Sequence, residues 1–217
     1  MKKAIIILST VLLACATIHA QDDAQKLQQG VAKIDNAATI KDYQQLANEF
    51  AQIAETEKTQ WLPYYYAAFC NAKIGWLSQD DPDNIEDYAN KADEQIKKAQ
   101  ALLDTATQKK ELSEVYCVLS MVNRARVFMN PATYGRQYGP SASMYIQLAK
   151  RANADNPRAL YLDGWEKFST PKMWGGDKVK AKELLLAAQQ KLSTNASSGV
   201  EPHWGKKEVD GLLKQLK

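Results

Sequence analysis

The chain has 217 residues, 45% of them hydrophobic and 24% charged, with 28 Lys+Arg against 25 Asp+Glu and a formal net charge of +3. That length gives one domain or at most two small ones, and the composition supports a sizeable core, which excludes a disordered chain. Only 10 Gly and 7 Pro exclude collagen-like and low-complexity classes, and the near balance of charge excludes a strongly basic nucleic-acid binder.

A targeting segment comes first. Lys2-Lys3 is a short basic head, and an apolar run from Ala4 to Ala16 follows it with Ile5, Ile6, Ile7, Leu8, Val11, Leu12 and Leu13. At about 13 residues the run is shorter than the ~20 that a bilayer span needs, and it fits the apolar part of a secretory signal. One processing route cuts between Ala20 and Gln21, which makes 1–20 a signal peptide and 21–217 a single helical-repeat domain. The other uses Leu12-Leu13-Ala14-Cys15, which resembles a lipobox and makes Cys15 a lipid-anchored N-terminus. Either route removes Lys2 and Lys3 and leaves 26 basic against 25 acidic residues. The protein is therefore expected in the periplasm or secreted, or held on the outer membrane as a lipoprotein. The short signal and short chain have a bacterial character.

Apolar spacing of three and four residues dominates the rest of the chain, with almost no period-two alternation. Tyr43, Leu46, Ala47, Phe50, Ile53 and Ala54 make a first stripe, and Tyr64, Ala67, Ala68, Cys70 and Ile74 a second, opened near Pro63. Asp81-Pro82-Asp83-Asn84 introduces a third stripe of Tyr88, Ala92, Ile96, Ala99 and Leu103. Leu112, Val115, Tyr116, Leu119 and Val122 predict a fourth helix. Arg124 to Pro140 reads as a long loop, with Arg124, Arg126 and Arg136 among Phe128, Tyr134 and Tyr138, broken by Pro131, Gly135, Gly139 and Pro140. Tyr145, Leu148, Ala149 and Ala152 give a fifth helix, Leu160, Tyr161, Gly164 and Trp165 a sixth, and Val179, Ala181, Leu184, Leu185 and Ala188 a seventh. Val209, Leu212, Leu213 and Leu216 suit a short terminal helix. Asn156-Pro157, Gly175-Gly176-Asp177 and the stretch from Asn195 to Pro202 supply the breaks. The chain is all-α, built of helix pairs.

The small residues repeat in register. Ala181, Leu185 and Ala188 follow Leu160 and Gly164, and Ala92, Ile96 and Ala99 follow Tyr64, Ala67, Ala68 and Gly75. Tyr116, Leu119 and Ser120 with Tyr145, Ala149, Ala152 and Pro157 form a degenerate third copy. Small residues on such a spacing sit where two helices cross closely, so Ala92, Ala181 and Ala188 are expected at buried crossings. From Tyr43 to Leu192 this pattern resembles the tetratricopeptide repeat family. The signature tryptophan and tyrosine are absent from most positions and the loops are longer than that family's turns. Trp61 to Ala68, Asn156 to Leu162, Trp174-Gly175-Gly176-Asp177 and His203-Trp204-Gly205 further resemble uncharacterised exported Bacteroidetes proteins of tetratricopeptide type. The resemblance implies a right-handed solenoid of antiparallel helix pairs, with degenerate repeats and long loops, and no enzymatic activity of its own.

Chemistry-bearing clusters are scarce. After a cut at Ala20, His203 is the single histidine, and its neighbours read as a docking turn for the last helix. Cys70 and Cys117 form no C-x-x-C pair and read as small buried hydrophobes, with a disulfide left open. Trp174-Gly175-Gly176-Asp177 lacks the P-loop lysine and reads as a positive-φ turn with Asp177 as helix cap. Glu111/Glu114 and Glu55/Glu57 read as solvated charge. Asp104-Thr105-Ala106 resembles a Bacteroidetes O-glycosylation motif, and Asn195-Ala196-Ser197 matches a eukaryotic N-glycan sequon. No catalytic site, metal site or cofactor is expected.

Stacked repeats would line one face with first helices. Tyr65, Phe69, Met121, Tyr161 and Trp165 are expected on it, with Cys117 beside them and Lys73, Arg124 and Arg158 at a basic margin. That predicts a non-enzymatic scaffold of the cell envelope binding a protein or peptide partner, without nucleic acid. The alternative from a different class is the solute-binding component of a periplasmic uptake system.

Overall fold

The computed structural model describes residues 22–194 and 199–216. Residues 1–21, which hold the expected leader, both expected cleavage routes and Cys15, lie outside the described residues, as does the Asn195-Ala196-Ser197 sequon. All regular structure among the described residues is helical. In chain order it comprises α1 (22–34), α2 (Ile40–Thr56), α3 (Trp61–Leu77), α4 (Ile85–Ala101), α5 (Lys109–Met129), α6 (Pro131–Ala152), α7 (Pro157–Ser169), α8 (Lys178–Thr194) and α9 (Lys206–Gln215). Short 3-10 turns at Pro82–Asn84 and Lys172–Trp174 precede α4 and α8.

The helix starts follow from local chemistry. Thr39 and Asp42 form a reciprocal capping box on α2. Asn130 accepts from the Thr133 N–H with Pro131 at the first position of α6, and Asn156 does the same for Arg158 and Pro157 on α7. The Asp177 carboxylate accepts from the Val179 and Lys180 N–H groups, both at 2.9 Å, at the start of α8.

Two expectations are corrected here. Arg124 to Pro140 is helix, not loop: α5 runs to Met129 and α6 starts at Pro131. Proline at a helix's first position loses no intrahelical bond, and Pro140 inside α6 lies on a face where Arg136, Gln137 and Pro140 are all exposed, so water can serve the carbonyl that loses its donor. The helix α1 was not expected; its stripe of Leu27, Val31 and Ile34 is short and lies among polar residues, yet all three are buried.

Antiparallel pairs α3–α4, α5–α6 and α7–α8 pack in succession, with α2 against α3, and the first helices of the three pairs, α3, α5 and α7, touch one another. α3 and α5 are buried almost all round and form the centre, while α2, α4, α6 and α8 each bury one stripe. Ala92, Ala181 and Ala188 are fully buried, in keeping with their spacing. Cys70 and Cys117 are buried free thiols; burial pushes the thiol of each up from its ordinary value.

Candidate functional site

The face formed by α3, α5 and α7 is covered. Residues 200–205 return from α8 and lie against α3 and α7, and α9 then packs on α8. Trp204 stacks on Phe69 with ring centroids 4.7 Å apart and meets Tyr161 edge-on at 6.2 Å. The Tyr66 hydroxyl donates to the Val200 carbonyl at 2.7 Å. Gly205 takes φ +111 at the start of α9, the left-handed turn that swings α9 back against α8. His203 faces Asp35 through Nε2 at 3.2 Å and the Glu201 carbonyl through Nδ1 at 2.9 Å.

Consequently five of the eight expected binding residues are core. Tyr65, Phe69, Met121, Arg158 and Tyr161 are buried; the returning segment packs on Tyr65, Phe69 and Tyr161, and Arg158 has an internal partner. Its guanidinium grips Glu114 with two bonds, Nε to Oε2 at 2.6 Å and Nη2 to Oε1 at 2.7 Å. The Tyr65 hydroxyl adds a third bond to Glu114 at 3.3 Å. Burial works against the Arg158 charge, but Glu114 outweighs it and the Arg158 pKa stands above its ordinary value. Glu114 is thus a buried ion-pair partner and not the solvated charge that its sequence neighbours suggest, whereas Glu55 is exposed. Lys73 is also engaged, 2.7 Å from Glu208 of α9 and over the Tyr43 ring.

Arg124 and Trp165 remain partly exposed and belong to a different cluster. One turn beyond the expected stripe, at the C-terminal ends of α3, α5 and α7, Trp76, Phe128 and Trp165 meet. The ring centroids are 4.7 Å apart for Trp76–Trp165, 5.6 Å for Trp76–Phe128 and 5.9 Å for Phe128–Trp165. Trp76 is fixed by its indole N–H, which donates to the Met121 carbonyl at 2.9 Å. Arg124 lies over the Trp165 ring at 5.5 Å and pairs with Glu166 at 2.6 Å, and the Ser143 hydroxyl donates to the other Glu166 oxygen at 2.8 Å. Burial lowers the Arg124 pKa despite Glu166. Gly139 and Gly135 stand one and two turns before Ser143 on the same face of α6. No atom lies within 4 Å of where a Cβ would stand on either.

The result is a shelf of three half-buried rings, set at 50° to 82° to one another, with the Arg124 guanidinium over one of them. It offers apolar ring surface to a ligand and spare N–H donors on Arg124 for a carboxylate. Continuing the stripes Phe69–Lys73 and Met121–Arg124 by one more turn leads to Trp76 and Phe128; that was the available signal in the sequence. Two recesses lie elsewhere. One of about 300 Å³ between α1 and α2 is lined by polar and charged side chains, among them Asp23, Lys33 and Glu49. One of about 500 Å³ is lined by Val179, Leu186 and Leu216. Among the described residues no group of His, Cys, Asp and Glu is arranged to hold a metal ion, and no helix is long and apolar enough to cross a membrane.

A scan of protein-family models gives no match, and a search of curated proteins gives none. Among solved structures, the HusA haemophore from Porphyromonas gingivalis superposes with a TM-score of 0.78 at 30% sequence identity, covering 89% of this chain and 92% of that one. The chain belongs to the HusA family. That likeness extends over nearly the whole of both chains. Membership agrees with the expectation of a helical protein of Bacteroidetes type.

Proposed function

We propose that this chain is an exported, non-enzymatic binding protein for a haem-type tetrapyrrole, with the Trp76–Phe128–Trp165 shelf as the ligand face. The observation that carries it is the kinship with a haemophore over 89% of the chain. The shelf supports it: a porphyrin is flat and apolar with carboxylate arms, which suits three rings with Arg124 beside them. Both ring nitrogens of His203 are engaged, so we infer holding of the macrocycle by stacking and not through iron on that imidazole. This corresponds to the solute-binding alternative. The protein- or peptide-binding scaffold relied on an open face on the first helices, and residues 200–205 lie against α3 and α7 there. A tetratricopeptide-like solenoid, processing after Ala20 or at Cys15, and an envelope or extracellular location complete the proposal.

Absorbance titrations test it. Haemin and metal-free protoporphyrin should both bind, with a shifted Soret band. Trp165→Ala and Phe128→Ala should each weaken binding at least about tenfold. A Soret band unmoved by the folded wild-type chain would refute the reading.

A further inference from the structure

The three most exposed large apolar side chains among the described residues fall in one short stretch: Met173 at 80%, Trp174 at 72% and Val179 at 73%. The first two sit in the 3-10 turn between α7 and α8, and this turn is not slack. The Trp174 N–H donates to the Pro171 carbonyl at 2.9 Å, Gly175 to Lys172 at 3.1 Å, Gly176 to Pro171 at 3.1 Å and Asp177 to Lys167 at 2.9 Å. Gly175 has φ +94, and a Cβ on Gly176 would stand 1.7 Å from the Thr170 oxygen. Asp177 then caps α8. The backbone is built so that the Met173 and Trp174 side chains point into solvent. No aromatic ring stacks on Trp174 among the described residues, in contrast to Trp76, Trp165 and Trp204.

The charges around this tip are one-sided. Positions 167–183 carry Lys167, Lys172, Lys178, Lys180 and Lys182 against Asp177 and Glu183, once Glu166 is set aside with Arg124. Glu183 pairs with Lys180, and one Asp177 oxygen is taken by the α8 cap. Lys167 reaches only the Gly175 carbonyl and Lys178 lies over the Phe168 ring, so neither they nor Lys172 make an ion pair among the described residues.

We propose that this loop docks the protein on an anionic lipid surface. Met173 and Trp174 enter the boundary between headgroups and acyl chains, and the lysine collar meets the lipid phosphates. An indole with an apolar body and an N–H edge suits that boundary, and unpaired lysines near it add attraction to anionic headgroups. The apolar element is a projecting tip with cations around it. A groove flanked by mixed charge would suit a folded protein partner better. The inference is independent of the tetrapyrrole reading.

The test is vesicle co-sedimentation with the chain beginning at Gln21, which contains every contact described above and carries no acyl group. Vesicles of phosphatidylcholine and phosphatidylglycerol in equal parts should sediment the protein at low salt. Pure phosphatidylcholine should not, and high salt should release it. Trp174→Ala and the double variant Lys172→Gln/Lys178→Gln should each lower partitioning about tenfold. Both should keep the wild-type melting temperature and Soret response. Failure of the wild type to sediment with anionic vesicles would overturn the proposal and turn the loop into a candidate protein-docking tip. Equal partitioning of Trp174→Ala and wild type would overturn it as well.

Discussion

The Trp204 indole N–H donates to the Tyr65 hydroxyl at 2.8 Å, across 139 positions of sequence. That bond, with the Trp204–Phe69 stack, joins the end of the chain to its central helix. Trp204→Ala should therefore cost about 3–5 kcal/mol, as for other buried tryptophans. Urea unfolding checks it, and a loss below about 1 kcal/mol would mean that the segment is only loosely applied.

Arg158 and Glu114 make a two-bond pair that is almost wholly buried. Arg158→Met alone should destabilise by about 3–5 kcal/mol, because it strands the Glu114 charge, and adding Glu114→Gln should recover part of the loss. A double-mutant cycle on unfolding free energies measures this. An Arg158→Met chain of normal stability would return Arg158 to the list of binding residues.

α7 and α8 cross with nothing between them at Gly164. A Cβ there would lie 2.9 Å from Leu185 Cγ and 3.3 Å from the Ala181 carbonyl oxygen. Leu185 is fully buried and has little room to give. Gly164→Ala and Ala181→Leu should each cost about 1–3 kcal/mol through overpacking, visible as lower thermal midpoints.

Burial tends to raise the carboxyl pKa of Glu208, but Lys73 more than offsets it, and the folded value lies below the ordinary 4.5. A carboxyl whose pKa is lower folded than unfolded stabilises fully above its unfolded value. That contribution is lost as pH falls through the folded one. Acidification from pH 5 downward should thus loosen α9 from α3, and Glu208→Gln should flatten that part of the stability–pH curve. Denaturant midpoints collected through the acid range decide it; equal slopes for the two chains would contradict the assignment.

The helices were legible because their information is local. Stripes, caps such as Asn156-Pro157, and small residues such as Ala92 and Ala188 act within one or two turns. What escaped depends on distant partners. Glu114 reads as surface charge beside Glu111 until Arg158, 44 positions on, is brought against it. Tyr65, Phe69 and Tyr161 have the right register for an exposed aromatic face, and only the packing of Trp204 makes them core. Arg124, Phe128 and Trp165 were named, but Trp76, which joins them, lies one turn beyond the α3 residues singled out. Pro131 and Pro140 hid the first half of α6 because the rule that proline breaks helices yields at a first position and on a solvated face.

The returning segment also changes how the chain must fold. In a linear stack of helix pairs each unit needs only its neighbours, and the array can assemble from one end. Here Lys207 bonds to the Asp35 carbonyl and Glu208 to Lys73, so the last helix clamps the first ones. Closing so long a loop is slow, and its contacts come last. The chain should consequently behave as one cooperative unit whose completion waits for its final residues to arrive. A chain emerging N-terminus first from the ribosome would keep Tyr65 and Phe69 uncovered until Trp204 had emerged.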